Sequence, residues 1–119
     1  MRIWIPVSVQ QINEFKSSNV LQVSSGYAVT EEWAQSWDET DSEVLEAEIL
    51  QVAGSESRLV VVAECLATVQ NEQTGHVGIS NPIAKAQIQA IFAAKGTDPE
   101  DFLWFGPTEP DEALDWHSS

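Results

Sequence analysis

The sequence predicts one α+β domain, a mainly antiparallel sheet with helices packed on it. Three observations lead there. The chain has 119 residues, 43% of them hydrophobic, with five Trp and four Phe, which is enough apolar material for a core in a single domain. Extended apolar runs and capped helical stripes are interleaved along the chain. They follow the order β–α–(α–α)–β–β–(α or β)–β–α, with no internal repeat and no low-complexity tract.

Residues 2–7, Arg-Ile-Trp-Ile-Pro-Val, read as a first strand with Pro6 near its end. Ser8 and Gln11 form a capping box, and Val9, Ile12 and Phe15 follow at helical spacing, so 9–17 is expected to be a helix. The serine-rich stretch 17–26 reads as a loop, and Tyr27 to Val29 as a short extended piece. Thr30 is an N-cap for a short helix carrying Trp33 and Trp37 one turn apart. Thr40 to Glu43 is a second capping box. Leu45, Ile49 and Val52 then define a helix over 41–53, with Gly54 as its stop.

The β-branched run Val60-Val61-Val62 predicts a central strand covered on both faces, within 58–66. Asn71 to Gly75 is turn chemistry, and His76 to Ser80 is the return strand of a hairpin. Residues 82–94 point two ways. Asn81-Pro82, Gly96 and the Ala/Gln content favour a helix, whereas the alternation of Ala86, Ile88, Ala90 and Phe92 favours a strand. A helix there would make the fold a ferredoxin-like split βαβ arrangement with an extra helix pair. Phe102 to Phe105 reads as a core strand or buried turn, and Thr108 as the cap of a final helix with Ala113, Leu114 and Trp116.

Charge excludes more than it identifies. Nineteen acids against five bases give a formal charge of −14. Direct nucleic-acid binding needs a basic stripe and is not expected. Sixteen of the nineteen acids lie in two base-free stretches, nine from Glu31 to Glu56 and seven from Asp98 to Asp115. No run approaches the length of a membrane span, and the N-terminus lacks the apolar region and cleavage site of a signal peptide. The single cysteine, Cys65, forms no internal disulfide. A bacterial-type cytosolic protein is the expected setting.

The sequence contains no phosphate-binding glycine loop, nucleophile elbow or zinc-protease motif. No catalytic, cofactor-binding or metal-ligating residue is assigned, and no cofactor is implied. The dense acids Asp38 to Glu43 lack the glycine of a calcium loop and read instead as helix capping. His76 reads as a cross-strand residue, and His117 lies close to the chain end. Cys65 reads as a small buried hydrophobe whose neighbour Glu64 disfavours a thiolate. The tryptophans read as core, with Trp116 the best candidate for an exposed contact.

The strand ending in Ile5-Pro6-Val7, the stretch Gly26 to Thr30, the acidic helix Glu43 to Leu50, the strand Leu59 to Ala63 and the element Leu103 to Glu109 form a set. Together they resemble an uncharacterised family of small acidic actinobacterial proteins, a domain-of-unknown-function family. The resemblance implies a strand where the residues match 86–94 and a shortened region before Trp104. It implies no activity.

Two classes of function follow. The first is a non-catalytic interaction or regulatory module whose acidic helices, if they share a face, steer onto a basic protein partner. A nucleic-acid mimic is its sharpest form, and a homodimer is compatible with it. The second is a small enzyme or enzyme subunit using carboxylates among Glu64, Glu72, Asp98, Asp101 and Glu109 as general acid and base.

Overall fold

The computed structural model describes residues 1–96 and 101–118. Nine strands and four helices are present among them: β1 Arg2–Pro6, α1 Val9–Ser18, β2 Val20–Leu21, β3 Ser25–Tyr27, α2 Glu31–Ser36, α3 Ser42–Gly54, β4 Leu59–Glu64, β5 Thr68–Asn71, β6 His76–Gly78, β7 Ile83–Ala84, β8 Ile88–Ala93, β9 Leu103–Phe105 and α4 Pro110–Ser118. Seven strands form one sheet in the order β5-β6-β3-β1-β4-β8-β9, every neighbouring pair antiparallel. The short strands β2 and β7 pair separately. The α+β class with a large antiparallel sheet is therefore as the sequence predicts.

The period-two geometry of β1 and β4 divides the molecule into two cores. Ile3, Ile5, Val61 and Ala63 point to one face, where α1, α4 and the small sheet supply Ile12, Phe15, Leu21, Ile83 and Ala113. Trp4, Val60 and Val62 point to the other, against Trp33 of α2 and Leu45, Ile49 and Ala53 of α3. Five residues of β4 in succession are buried, as expected for a strand covered on both faces. Each fully buried Val or Leu there contributes about 1.5–3 kcal/mol.

Both halves of the Ser8 capping box form. The hydroxyl accepts from Gln11 N at 3.1 Å, and Gln11 Oε1 accepts from Ser8 N at 2.9 Å. Thr30 caps α2 as expected. In the hairpin, Asn71 Oδ1 accepts from the amides of Gln73 and Thr74, and Gly75 takes φ +79°.

Several expectations are corrected. Residues 17–26 hold β2 and β3 and the end of α1 rather than only a loop. The cap of α3 is Asp41, which accepts from Glu43 N, not Thr40. Gly54 does not stop that helix. It is its last residue, and a Cβ there would lie 2.6 Å from the Phe102 ring. The final helix starts at Pro110, whose fixed φ suits a first helical position, with Glu109 O accepting from Ala113 N. Residues 82–94 are β7, a single 3₁₀ turn and β8, because β4 offers a complete ladder partner that outweighs local helix propensity. The ferredoxin-like expectation rested on a helix there. The split βαβ unit is carried instead by β3, α2–α3 and β4, which run in the same direction with β1 between them.

The close approach of β3 to its sheet neighbour β1 leaves no room for a side chain at position 26. A Cβ on Gly26 would lie 2.7 Å from Ile3 Cγ2 and 2.9 Å from Trp4 O. Gly26→Ala is expected to destabilise by about 1–3 kcal/mol, and Ser8→Ala by about 1 kcal/mol. Urea unfolding of the two variants checks this, and a Gly26→Ala midpoint equal to wild type would contradict the close approach.

Candidate functional site

α3 packs over β3, β1 and β4, and a groove of about 560 Å³ opens between this helix and the β8–β9 side of the sheet. Its floor comes from residues paired across strands. Trp4 faces Val62, Val62 faces Ala90, and Phe92 faces Trp104. Ala47 and Leu50 of α3 form the opposite wall. Trp4 is 4% exposed, whereas Trp104 stands 61% exposed at the rim. The volume falls within the range of small-molecule sites.

One end of the groove is polar. Arg2 leaves β1 on the same face as Trp4, two residues on. Its Nε donates to Gln89 Oε1 and its Nη1 to Glu46 Oε2, both at 2.8 Å. Gln89 reaches this position through a β-bulge. Val62 pairs with Ala90 but Ala63 pairs with Ile88, so Gln89 is an extra residue in β8. The bulge lets Ile88 enter the first core while Ala90 joins the second, and it turns Gln89 toward the guanidinium. The Arg2 and Glu46 side chains are 45% and 37% exposed, so this pair contributes about 0–1 kcal/mol and serves to fix geometry. A second, smaller cavity of about 370 Å³ lies on the other side of this pair and shares Arg2, Trp4 and Glu46.

A different feature sits at the α2–α3 corner. Trp37 is 47% exposed, its ring 5.8 Å from that of buried Trp33. At the same corner a shallow cup, in whose lining Trp37 takes no part, is formed by Glu31, Ala34, Gln35, Asp38, Glu39 and Thr40. Two acids here have structural tasks: Glu39 Oε1 accepts from the Thr40 and Asp41 amides, and Asp41 caps α3. Among the described residues, no acid from Glu31 to Glu43 is ion-paired; the salt bridges involve Glu64, Glu46 and Asp111.

The acidic helices do not share a face. α4 packs with α1 in the first core, and α2 and α3 in the second, on opposite sides of the sheet. Asp111 of α4 is paired with Lys16. The carboxylates weighed for acid–base chemistry are also placed apart in role. Glu64 holds the N-terminal ammonium at 2.8 Å, and Glu109 Oε1 accepts from Gly106 N. Glu72 borders the smaller cavity, Asp101 lies beside Gly96, and Asp98 is outside the described residues. Among the described residues, no three His, Cys, Asp or Glu side chains are grouped to hold a metal ion.

Trp116 is not the exposed contact expected. It is half-buried against the first core with the Lys95 ammonium 3.7 Å above its ring. Trp104 and Trp37 are the exposed tryptophans, so reading 102–105 as core is corrected too: β9 is an edge strand with Leu103 and Trp104 exposed. His76 is a cross-strand residue, its ring 5.6 Å from Tyr27. His117 lies in the last turn of α4 with Nδ1 3.0 Å from Ala94 O.

The fold and groove define an α+β domain with an open groove against one half of its sheet. The chain belongs to a family of unknown function (DUF6912), which matches residues 1–102. Arg2, Trp4, Glu46, Gln89 and Phe92 fall within that span, and Trp104 falls beyond it. No match was found among curated proteins or solved structures. No described helix is long and apolar enough to cross a membrane.

Burial pushes the Cys65 thiol up, against the pull of the N-terminal ammonium and with a push from Glu64. Burial, and the hydrogen bond and charge of Glu56, push the Tyr27 phenol up. In both cases the folded form keeps its proton after the unfolded chain has released it. Stability should therefore fall as pH rises beyond about 8.5 for the thiol and about 10 for the phenol. Urea midpoints at pH 8 and 10.5 check this: the combined Cys65→Ser, Tyr27→Phe variant should lose less stability over that interval than wild type.

Proposed function

We propose that the protein is a non-catalytic, cytoplasmic interaction module that docks through its α2–α3 corner onto a basic protein partner. The observation that carries the reading is Trp37, an exposed aromatic next to Asp38 at a corner whose carboxylates, from Glu31 to Glu43, are ion-paired to no described cation. Glu31, Glu32, Asp38 and Glu43 remain available for a partner's lysines or arginines, and the Trp37 face accepts a cation directly. A second copy of the chain would bring like charges together at this corner, so the reading favours a different, basic molecule. The net charge of −14 adds long-range attraction and speeds encounter.

Affinity purification with the full chain as bait, from its native host, tests the reading. A basic protein should be retained at low salt and released as ionic strength rises well past ~0.15 M. The triple variant Trp37→Ala, Asp38→Asn, Glu31→Gln should lose that partner while keeping the wild-type unfolding midpoint. Retention indifferent to salt and to these substitutions would rule out docking at this corner.

A further inference from the structure

We infer that the groove between α3 and β8–β9 binds a flat, uncharged aromatic or heteroaromatic small molecule bearing an amide-type edge. The inference is independent of the docking corner, since neither Trp37 nor any residue of the acidic cup lines this groove. The body of the ligand is set by the walls. Trp4 and Phe92 give a flat apolar floor, Leu50 closes one side, and exposed Trp104 offers a ring face at the rim.

The head of the ligand is set by hydrogen-bond inventory. A guanidinium only donates, so Gln89 must turn its oxygen to Arg2, and its NH₂ group is left as a donor. Among the described residues that NH₂ group has no acceptor, and Arg2 keeps further N–H groups beyond the two it uses. Glu46 gives one oxygen to Arg2, and its other oxygen has no described donor. The groove head therefore presents adjacent donors and one acceptor. The complementary group carries a carbonyl-type acceptor beside an N–H donor. A carboxylate would supply acceptors but meets Glu46 and the −14 field of the whole protein. An amidinium is drawn by that field and by Glu46, but it supplies no acceptor for the Gln89 NH₂ or the spare Arg2 N–H groups, and it meets the Arg2 charge at the groove head. An uncharged amide, lactam or nucleobase-like edge satisfies all three side chains.

Isosteric probes test this on the full chain. 2-Naphthamide, 2-naphthoate and 2-naphthamidine are titrated against isotope-labelled protein, following the Trp104 indole and the Gln89 side-chain amide by NMR. Saturable shifts at both groups are expected with 2-naphthamide, with the two charged probes about tenfold weaker or worse. Gln89→Ala is expected to weaken 2-naphthamide by about threefold to tenfold, and Trp104→Ala by about threefold or more. Trp104 is a rim side chain, so its variant should retain the wild-type amide spectrum elsewhere. The inference is overturned by the absence of saturable shifts with 2-naphthamide. Equal or tighter binding of either charged probe, or wild-type affinity in a folded Trp104→Ala variant, overturns it as well.

Discussion

The pairing of β1 with β4 is the constraint on which the rest of this molecule depends. Five consecutive residues of each strand face one another, from Arg2 with Glu64 to Pro6 with Val60. Their side chains alternate between two cores, so neither face of the sheet can form without the other. Ile3 and Val61 anchor α1 and α4 on one side, and Trp4 and Val62 anchor α2 and α3 on the opposite side. A one-residue slip of this ladder would exchange the faces and put Ile3 beneath α3 in place of Trp4.

The same alternation positions the functional features. Arg2 and Trp4 share a face because they are two residues apart, and that face is the one α3 covers only in part. The groove is thus a product of helix placement: α3 lies over the β3–β1–β4 half of the sheet, and its side chains Ala47 and Leu50 wall the part of the face left open. The acidic corner has a comparable origin. α2 buries Trp33, and one turn later Trp37 sits at the end of the helix, where the chain turns through left-handed Asp38 (φ +50°) and leaves the ring exposed.

Elements whose signal is local were legible in the sequence. The Ser8–Gln11 box, the Thr30 cap, the Val60–Val62 run and the Asn71–Gly75 turn each declare themselves within a few residues, and each is where it was expected. The strand at 88–93 was ambiguous because its deciding interaction, the ladder with β4, lies far off in sequence. β2 and β7 were illegible for the same reason, being two-residue strands defined only by each other. At the site, Trp104 looked like core because Leu-Trp-Phe is apolar, and nothing local reveals that the strand lies at a sheet edge. No local pattern links Arg2, Glu46 and Gln89, which lie far apart in the chain. The alternation of Arg2 with Trp4 was the one available hint, and the bulge at Gln89 has no sequence signature. The acidic stretches are plain in the sequence, but the placement of α4 opposite α2 and α3 follows from the sheet topology alone.

The bulge at Gln89 also has a consequence for how this protein can change. A residue in register must suit the layer it enters, so its identity is held by packing. Position 89 is out of register. Its neighbours Ile88 and Ala90 keep their own layers, and its exposed side chain answers only to Arg2 and the groove. The chemistry at the groove head can therefore be rewritten by substitution at one site with little disturbance to either core. Groove-head chemistry and fold stability are thereby decoupled at that position.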